Sequence, residues 1–306
     1  MRMRFVVFLF LLLAGALRQA AWAGCDMHRL AEIPVTLKAH RAVVTATVNG
    51  VEGTFIFDSG ADGTMVHRGA LEKFALTAKP LPSGNSYTSG GVPLDVSLTT
   101  VKTFDFAGIR YSDRTLTVLN GDGEYDGWIG QDTLRNADVE YDFAAGVIRL
   151  YAPTGCAQAN YAYWAGRDPV YAVDLEETSA RQSRTFGSIR VNGVFMRTLF
   201  DTGAPETSVQ ANAARRAGVD AGSPGSTQAD PSYGLNGTVP LKSWIGTFEK
   251  LEIGGETIRN VRLTFIDKPK ANADIILGIN FFRSHRIYLS RADRKLYFTA
   301  NKDVPF

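Results

Sequence analysis

With 306 residues, 45% of them apolar and 21% charged, the chain has ordinary globular composition, which excludes a disordered polymer or a coiled coil and leaves room for one large domain or two medium lobes. Its formal charge of +2 becomes −1 once the three arginines at the N-terminus (Arg2, Arg4 and Arg18) are set aside. There is therefore no electrostatic case for nucleic acid or an anionic membrane surface as a partner.

The first element is a targeting pattern. Arg2 and Arg4 precede an apolar run from Phe5 to Leu17, and Ala21-Trp22-Ala23 supplies a small-x-small cleavage site. The run is too short to span a bilayer comfortably, so residues 1–23 read as a cleaved secretory signal rather than an uncleaved anchor. No later stretch is long and apolar enough for a membrane helix. The expectation is a periplasmic or secreted mature chain without stable membrane insertion. Export bears on the two cysteines, Cys25 and Cys156. An even count in an oxidising compartment invites a disulfide that would staple the first half shut. Two free thiols, or a lipidated Cys25, are the alternatives, although Trp22 sits where lipidation signals usually carry Leu.

After the signal, the chain repeats itself. Val48-Asn49-Gly50-Val51 leading to Phe57-Asp58-Ser59-Gly60-Ala61 recurs as Val191-Asn192-Gly193-Val194 leading to Phe200-Asp201-Thr202-Gly203-Ala204, with the same spacing. Ser86-Tyr87 and Gly90-Gly91-Val92-Pro93-Leu94 are echoed by Ser232-Tyr233 and Gly237-Thr238-Val239-Pro240-Leu241. Phe104 to Leu119 aligns without gaps to Leu251 to Ile266, and Asp126-Gly127-Trp128-Ile129-Gly130 to Asp274-Ile275-Ile276-Leu277-Gly278. A repeat this long is not a solenoid. It predicts two lobes, residues 24–156 and 168–306, joined by a linker over 157–167. An approximate two-fold relates them, and a shared site would sit on that axis.

The pattern within each lobe is β. Asn-Gly at 49–50 and 192–193 is the strongest two-residue hairpin signal, and the flanking runs are β-branched and aromatic. Further Gly turns are expected at Ala107-Gly108 and Gly254-Gly255. Helix is confined to short stretches near Arg68 to Phe74 and Ala211 to Ala217, with a further turn after Gly130 and Gly278. The predicted class is all-β with a few short helices.

Asp58 and Asp201 each end an apolar strand, where a carboxylate needs hydrogen-bond partners or a shared proton. Gly60 and Gly203 let the backbone turn sharply, and the hydroxyls of Ser59 and Thr202 can donate across the two-fold. Two such loops face to face bring two carboxylates together, which share one proton and can activate a water.

The stretches Phe55-Ile56-Phe57-Asp58-Ser59-Gly60-Ala61-Asp62-Gly63-Thr64 and Leu199-Phe200-Asp201-Thr202-Gly203-Ala204, with Thr207, resemble the active-site loops of retropepsin-like aspartic proteases. Trp128-Ile129-Gly130 and Ile276-Leu277-Gly278 match the apolar pair and Gly that close those loops. The resemblance implies two acid-protease lobes and an aspartic endopeptidase with Asp58 and Asp201 as its catalytic pair. Ser59, Gly60, Thr202 and Gly203 would support the loops, and hairpins at Tyr87–Gly91 and Tyr233–Gly237 would form flaps over a peptide. It implies no cofactor and no metal.

The chain departs from the family pattern in carrying both halves on one polypeptide, which suggests a monomer. Asp62 matches the family's substrate-backbone-binding aspartate, but its counterpart is Pro205, and Gln131 and Ile279 follow the closing glycines where Arg is usual. Asp62 fits either substrate contact or helix capping, and Tyr87 and Tyr233 fit either a flap or a half-buried strand face. The four histidines are scattered, and the acidic stretch Asp122 to Asp126 lacks the spacing of a calcium loop. The competing function is a catalytically silent peptide- or envelope-binding protein on the same fold.

Overall fold

Paired turns set the frame of both lobes in the computed structural model. It describes residues 25–306 apart from 84–85, 90–91, 122, 157–158, 178, 180–182, 236–238 and 268–271. The expected signal at 1–23, the flap glycines 90, 91 and 237, and Asp122 lie outside the described residues. Asn49 and Gly50 take φ of 50° and 83°, and Asn192 and Gly193 take 48° and 79°, the left-handed pair that a tight hairpin requires. They join strand Arg41–Val48 to Val51–Phe57, and Phe186–Val191 to Val194–Phe200. Each asparagine also fastens its hairpin to the rest of its lobe. Asn49 Nδ2 donates to Phe74 O and Oδ1 accepts from Lys102 N, while Asn192 Nδ2 donates to Ala217 O and Oδ1 accepts from Lys250 N.

The Gly turns expected at 107–108 and 254–255 also form. They join Val96–Phe106 to Ile109–Leu119, and Pro240–Ile253 to Glu256–Ile266. Each lobe then closes on itself. Val48 pairs with Phe104 in the first lobe and Val191 with Leu251 in the second, which turns each run of six strands into a barrel. Fully buried Phe55, Phe57, Phe104, Phe200, Phe248 and Phe265 belong to the core, each stabilising the fold by about 1.5–3 kcal/mol through burial.

Helices are short: Gln131–Leu134, Ala211–Arg216 and Ile279–Ser284. The stretch expected to be helical from Arg68 to Phe74 forms only a 3-10 turn, Arg68–Ala70. Gly69 interrupts it, at about 1 kcal/mol relative to Ala, whereas the second-lobe equivalent is rich in Ala. No helix among the described residues is long and apolar enough to cross a membrane.

A third sheet joins the lobes. Its strand order is Asp26–Pro34, Val147–Thr154, Asp138–Asp142, His285–Ser290, Lys295–Ala300, Tyr171–Asp174. The seam between lobes is the antiparallel pairing of Val139 with Leu289, Glu140 with Tyr288 and Tyr141 with Ile287. Cys25 and Cys156 are disulfide-bonded, so neither the free-thiol nor the lipidated reading of Cys25 holds. The bridge closes a 131-residue separation at the edge of this sheet.

Candidate active site

Each catalytic candidate is delivered by the same local construction. The short strand Gly127–Ile129 lies between Val51–Phe57, parallel to it, and Met65–His67, antiparallel to it. Ile275–Leu277 lies likewise between Val194–Phe200 and Ser208–Gln210. The amide of Asp58 donates to Ile129 O at 3.0 Å and that of Asp201 to Leu277 O at 2.9 Å. Each loop is then threaded past its closing glycine. A Cβ on Gly130 would stand 2.5 Å from Gly63 O, and one on Gly278 would stand 2.3 Å from Glu206 O, so neither position tolerates a side chain.

The two loops grip each other through four hydrogen bonds. Ser59 Oγ donates to Phe200 O at 2.9 Å and accepts from Thr202 N at 2.9 Å. Thr202 Oγ1 donates to Phe57 O at 2.7 Å and accepts from Ser59 N at 3.0 Å. All the hydroxyl and amide groups involved are buried, where a hydrogen bond is worth most and its loss costs most.

The carboxylates meet at the centre of this arrangement. A Cβ on Gly60 would fall 2.2 Å from Asp201 Cγ, and one on Gly203 would fall 2.3 Å from Asp58 Cγ. Each glycine therefore makes room for the aspartate of the opposite lobe. Asp58 is 8% exposed. Its Oδ1 accepts from Gly60 N at 2.9 Å, and Asp201 Oδ1 accepts from Gly203 N at 2.8 Å and Ala204 N at 3.1 Å. Burial first, then the facing Asp201 carboxylate, push the Asp58 pKa well above the usual carboxylate range. The Gly60 amide and the Arg41 charge oppose this without reversing it.

The supporting residues Asp132 and Asn280 were not singled out from the sequence. Asp132 Oδ1 accepts from both the amide and the hydroxyl of Thr64, and Asn280 Oδ1 accepts from both groups of Thr207. Thr64 and Thr207 in turn accept from the amides of Gly130 and Gly278, each at 3.1 Å. The signal was available: both residues stand two positions after the closing glycine. Gln131, fully buried, donates to Ser59 O and accepts from Arg291 of the other lobe.

Asp62 does not cap the turn that follows. Its carboxylate accepts from Ser183 N and Oγ and lies 2.9 Å from Arg184 Nε. Tyr87 lies in a two-stranded hairpin, Tyr87–Ser89 with Val92–Leu94, and is 41% exposed. Tyr233 pairs with Pro240 at the end of strand Thr227–Tyr233 and is 56% exposed. Among the described residues, no three His, Cys, Asp or Glu side chains are grouped to hold a metal ion.

Residues 44–133 match the family model described as aspartyl protease, and residues 187–284 match that described as gag-polyprotein putative aspartyl protease. No curated protein matches the chain significantly. The two family segments fall in tandem on the two barrels, and each contains one of the facing Asp-Ser/Thr-Gly loops. The chain belongs to the retropepsin-like aspartyl proteases, with both lobes carried on one polypeptide.

Proposed function

We propose that the protein is an exported aspartic endopeptidase in which Asp58 and Asp201 activate a water for attack on a peptide carbonyl. The observation that carries this reading is the reciprocal approach of each carboxylate to the glycine of the opposite loop. Two acids held that close share one proton. Asp201, with two main-chain donors, is the better anion and takes the proton from water. Asp58 holds the shared proton and polarises the substrate carbonyl. The tetrahedral intermediate collapses as a proton passes to the leaving amine. An extended peptide would lie between the dyad and the hairpins carrying Tyr87 and Tyr233, held by strand-like main-chain pairing. The Cys25–Cys156 bridge and the N-terminal targeting pattern support export.

Cleavage of a diverse peptide library by the mature chain tests the reading. Asp58→Asn and Asp201→Asn should each lower kcat/KM by on the order of 10⁴ while leaving the circular dichroism spectrum unchanged. Wild-type turnover retained in either variant would overturn the mechanism.

A further inference from the structure

The two lobes part company at one matched pair of arginines. Arg41 and Arg184 stand at the same distance along the chain before Asp58 and Asp201, in the same register as the paired Asn-Gly turns. Arg184 reaches across to the opposite active-site loop, where its guanidinium meets Asp62, and Ser183 adds two donors to the same carboxylate. On that side of the cleft the charges are balanced within the protein.

Arg41 holds the mirror position, but the opposite loop offers it Pro205 where Asp62 would stand. Its Nη1 donates instead to the main-chain carbonyl of Gly203, and among the described residues it makes no ion pair. A half-buried guanidinium that faces the dyad's charge but has no carboxylate in direct contact keeps donors available for a ligand. Its surroundings are those of a binding wall. Its charge is felt at both Asp58 and Tyr125. Tyr125 packs with Ala61, Leu94 and Leu235 on the buried cluster of Ile56, Met65, Leu119 and Trp128. Ala61 belongs to the Asp58 loop, and Leu235 follows Tyr233 in the second lobe, so this apolar wall borders the dyad from both lobes.

We propose that Arg41 anchors a carboxylate of the bound peptide, either an acidic side chain or a free C-terminus, on the Asp58 half of the cleft. Pro205 is the residue that leaves Arg41 open for this role. The inference rests on the peptidase reading for what occupies the cleft, and it makes the protein selective for acidic peptides where the Arg184 half is not.

Binding to the Asp58→Asn, Asp201→Asn double variant reads this without turnover. Pools of short random peptides are offered in three forms: an internal Glu with an amidated C-terminus, its Gln counterpart also amidated, and the Gln counterpart with a free C-terminal carboxylate. One carboxylate form should bind about tenfold more tightly than the neutral form, and the advantage should shrink as salt is raised. Preference for the Glu pool identifies a side chain, and preference for the free-carboxylate pool identifies the C-terminus. Adding Arg41→Gln should abolish the preference. So should adding Pro205→Asp, which keeps the arginine but supplies a carboxylate in the register of Asp62, at an exposed position. Equal binding of all three forms, no binding of any, or a preference that survives both substitutions would overturn the proposal. Wild-type cleavage with indifferent binding would leave the peptidase reading standing alone. Carboxylate-selective binding without wild-type cleavage would do the reverse.

Discussion

Asp58 receives one main-chain N–H, from Gly60, whereas Asp201 receives two, from Gly203 and Ala204. Such donors favour the ionised carboxylate, while burial and the facing carboxylate oppose ionisation of Asp58; in the mechanism proposed above, Asp58 therefore keeps the shared proton. This fixes the sign of a pH dependence. The pKa of Asp58 in the folded protein lies well above its ordinary value of 3.8, so between the two the folded state keeps a proton that the unfolded chain has released. Stability from this group is fully present below the ordinary value and is lost as pH rises through the raised one. Asp58→Asn removes the titration. Its melting temperature should exceed that of the wild type on the alkaline side of the window and converge with it towards acid, with about 2–4 °C for each kcal/mol recovered. The basic limb of kcat/KM should likewise lie above the ordinary carboxylate range. A melting difference independent of pH, together with a basic limb at the ordinary carboxylate value, would mean that the proton is not held on Asp58.

The active-site loops are elements that stand only as a pair, because each satisfies the buried main chain of the other. Thr202→Val leaves Ser59 N–H and Phe57 C=O without their partner, at about 1–3 kcal/mol for each group. Urea denaturation should show a loss of about 2–6 kcal/mol. Ser59→Thr, which copies the second loop into the first, should stay within about 1 kcal/mol of wild type. A Thr202→Val variant as stable as the wild type would show that these bonds do not join the loops. These loops were legible in the sequence, as were the hairpins at Asn49-Gly50 and Asn192-Gly193, because a left-handed turn or a backbone passing another backbone at contact distance admits very few residues. What stayed hidden has physical reasons too. Asp132 and Asn280 do the same work with different side chains, so the repeat marks their place after the closing glycine but not their residue type. The partners of Asp62 lie on the other lobe, 121 and 122 positions along the chain. The helical pattern after Asp58 was overruled by Gly69, while the same pattern after Asp201 held.

At the scale of the molecule, the dyad exists only while the two lobes keep register, and the seam that keeps it was the least legible feature of all. Glu140 is a charged residue on a strand, between Val139 and Tyr141, and nothing in the repeat marks it. Pairing with Tyr288 of the second lobe buries it completely. Its Oε1 lies 2.7 Å from both Arg149 Nη1 and Arg286 Nη2, and its Oε2 accepts from Tyr151 and Tyr163 at 3.1 and 2.6 Å. Arg286 comes from the second lobe and also lies 3.3 Å from Asp142, so the network crosses the seam. The Cys25–Cys156 bridge cannot replace it, because both cysteines belong to the first lobe's share of the sheet. Removing one member of a buried ionic network leaves the others uncompensated, at about 3–5 kcal/mol. Glu140→Ala should therefore lower the unfolding free energy by that amount. Amide hydrogen exchange should quicken first in Asp138–Asp142 and His285–Ser290, ahead of either barrel, because local opening follows the weakest cooperative unit. Peptide turnover should fall with the rise in exchange. Turnover lost while the seam exchanges normally would separate catalysis from lobe register and point to a local effect passed through Tyr141, whose ring lies 6.1 Å from that of Phe57, next to Asp58.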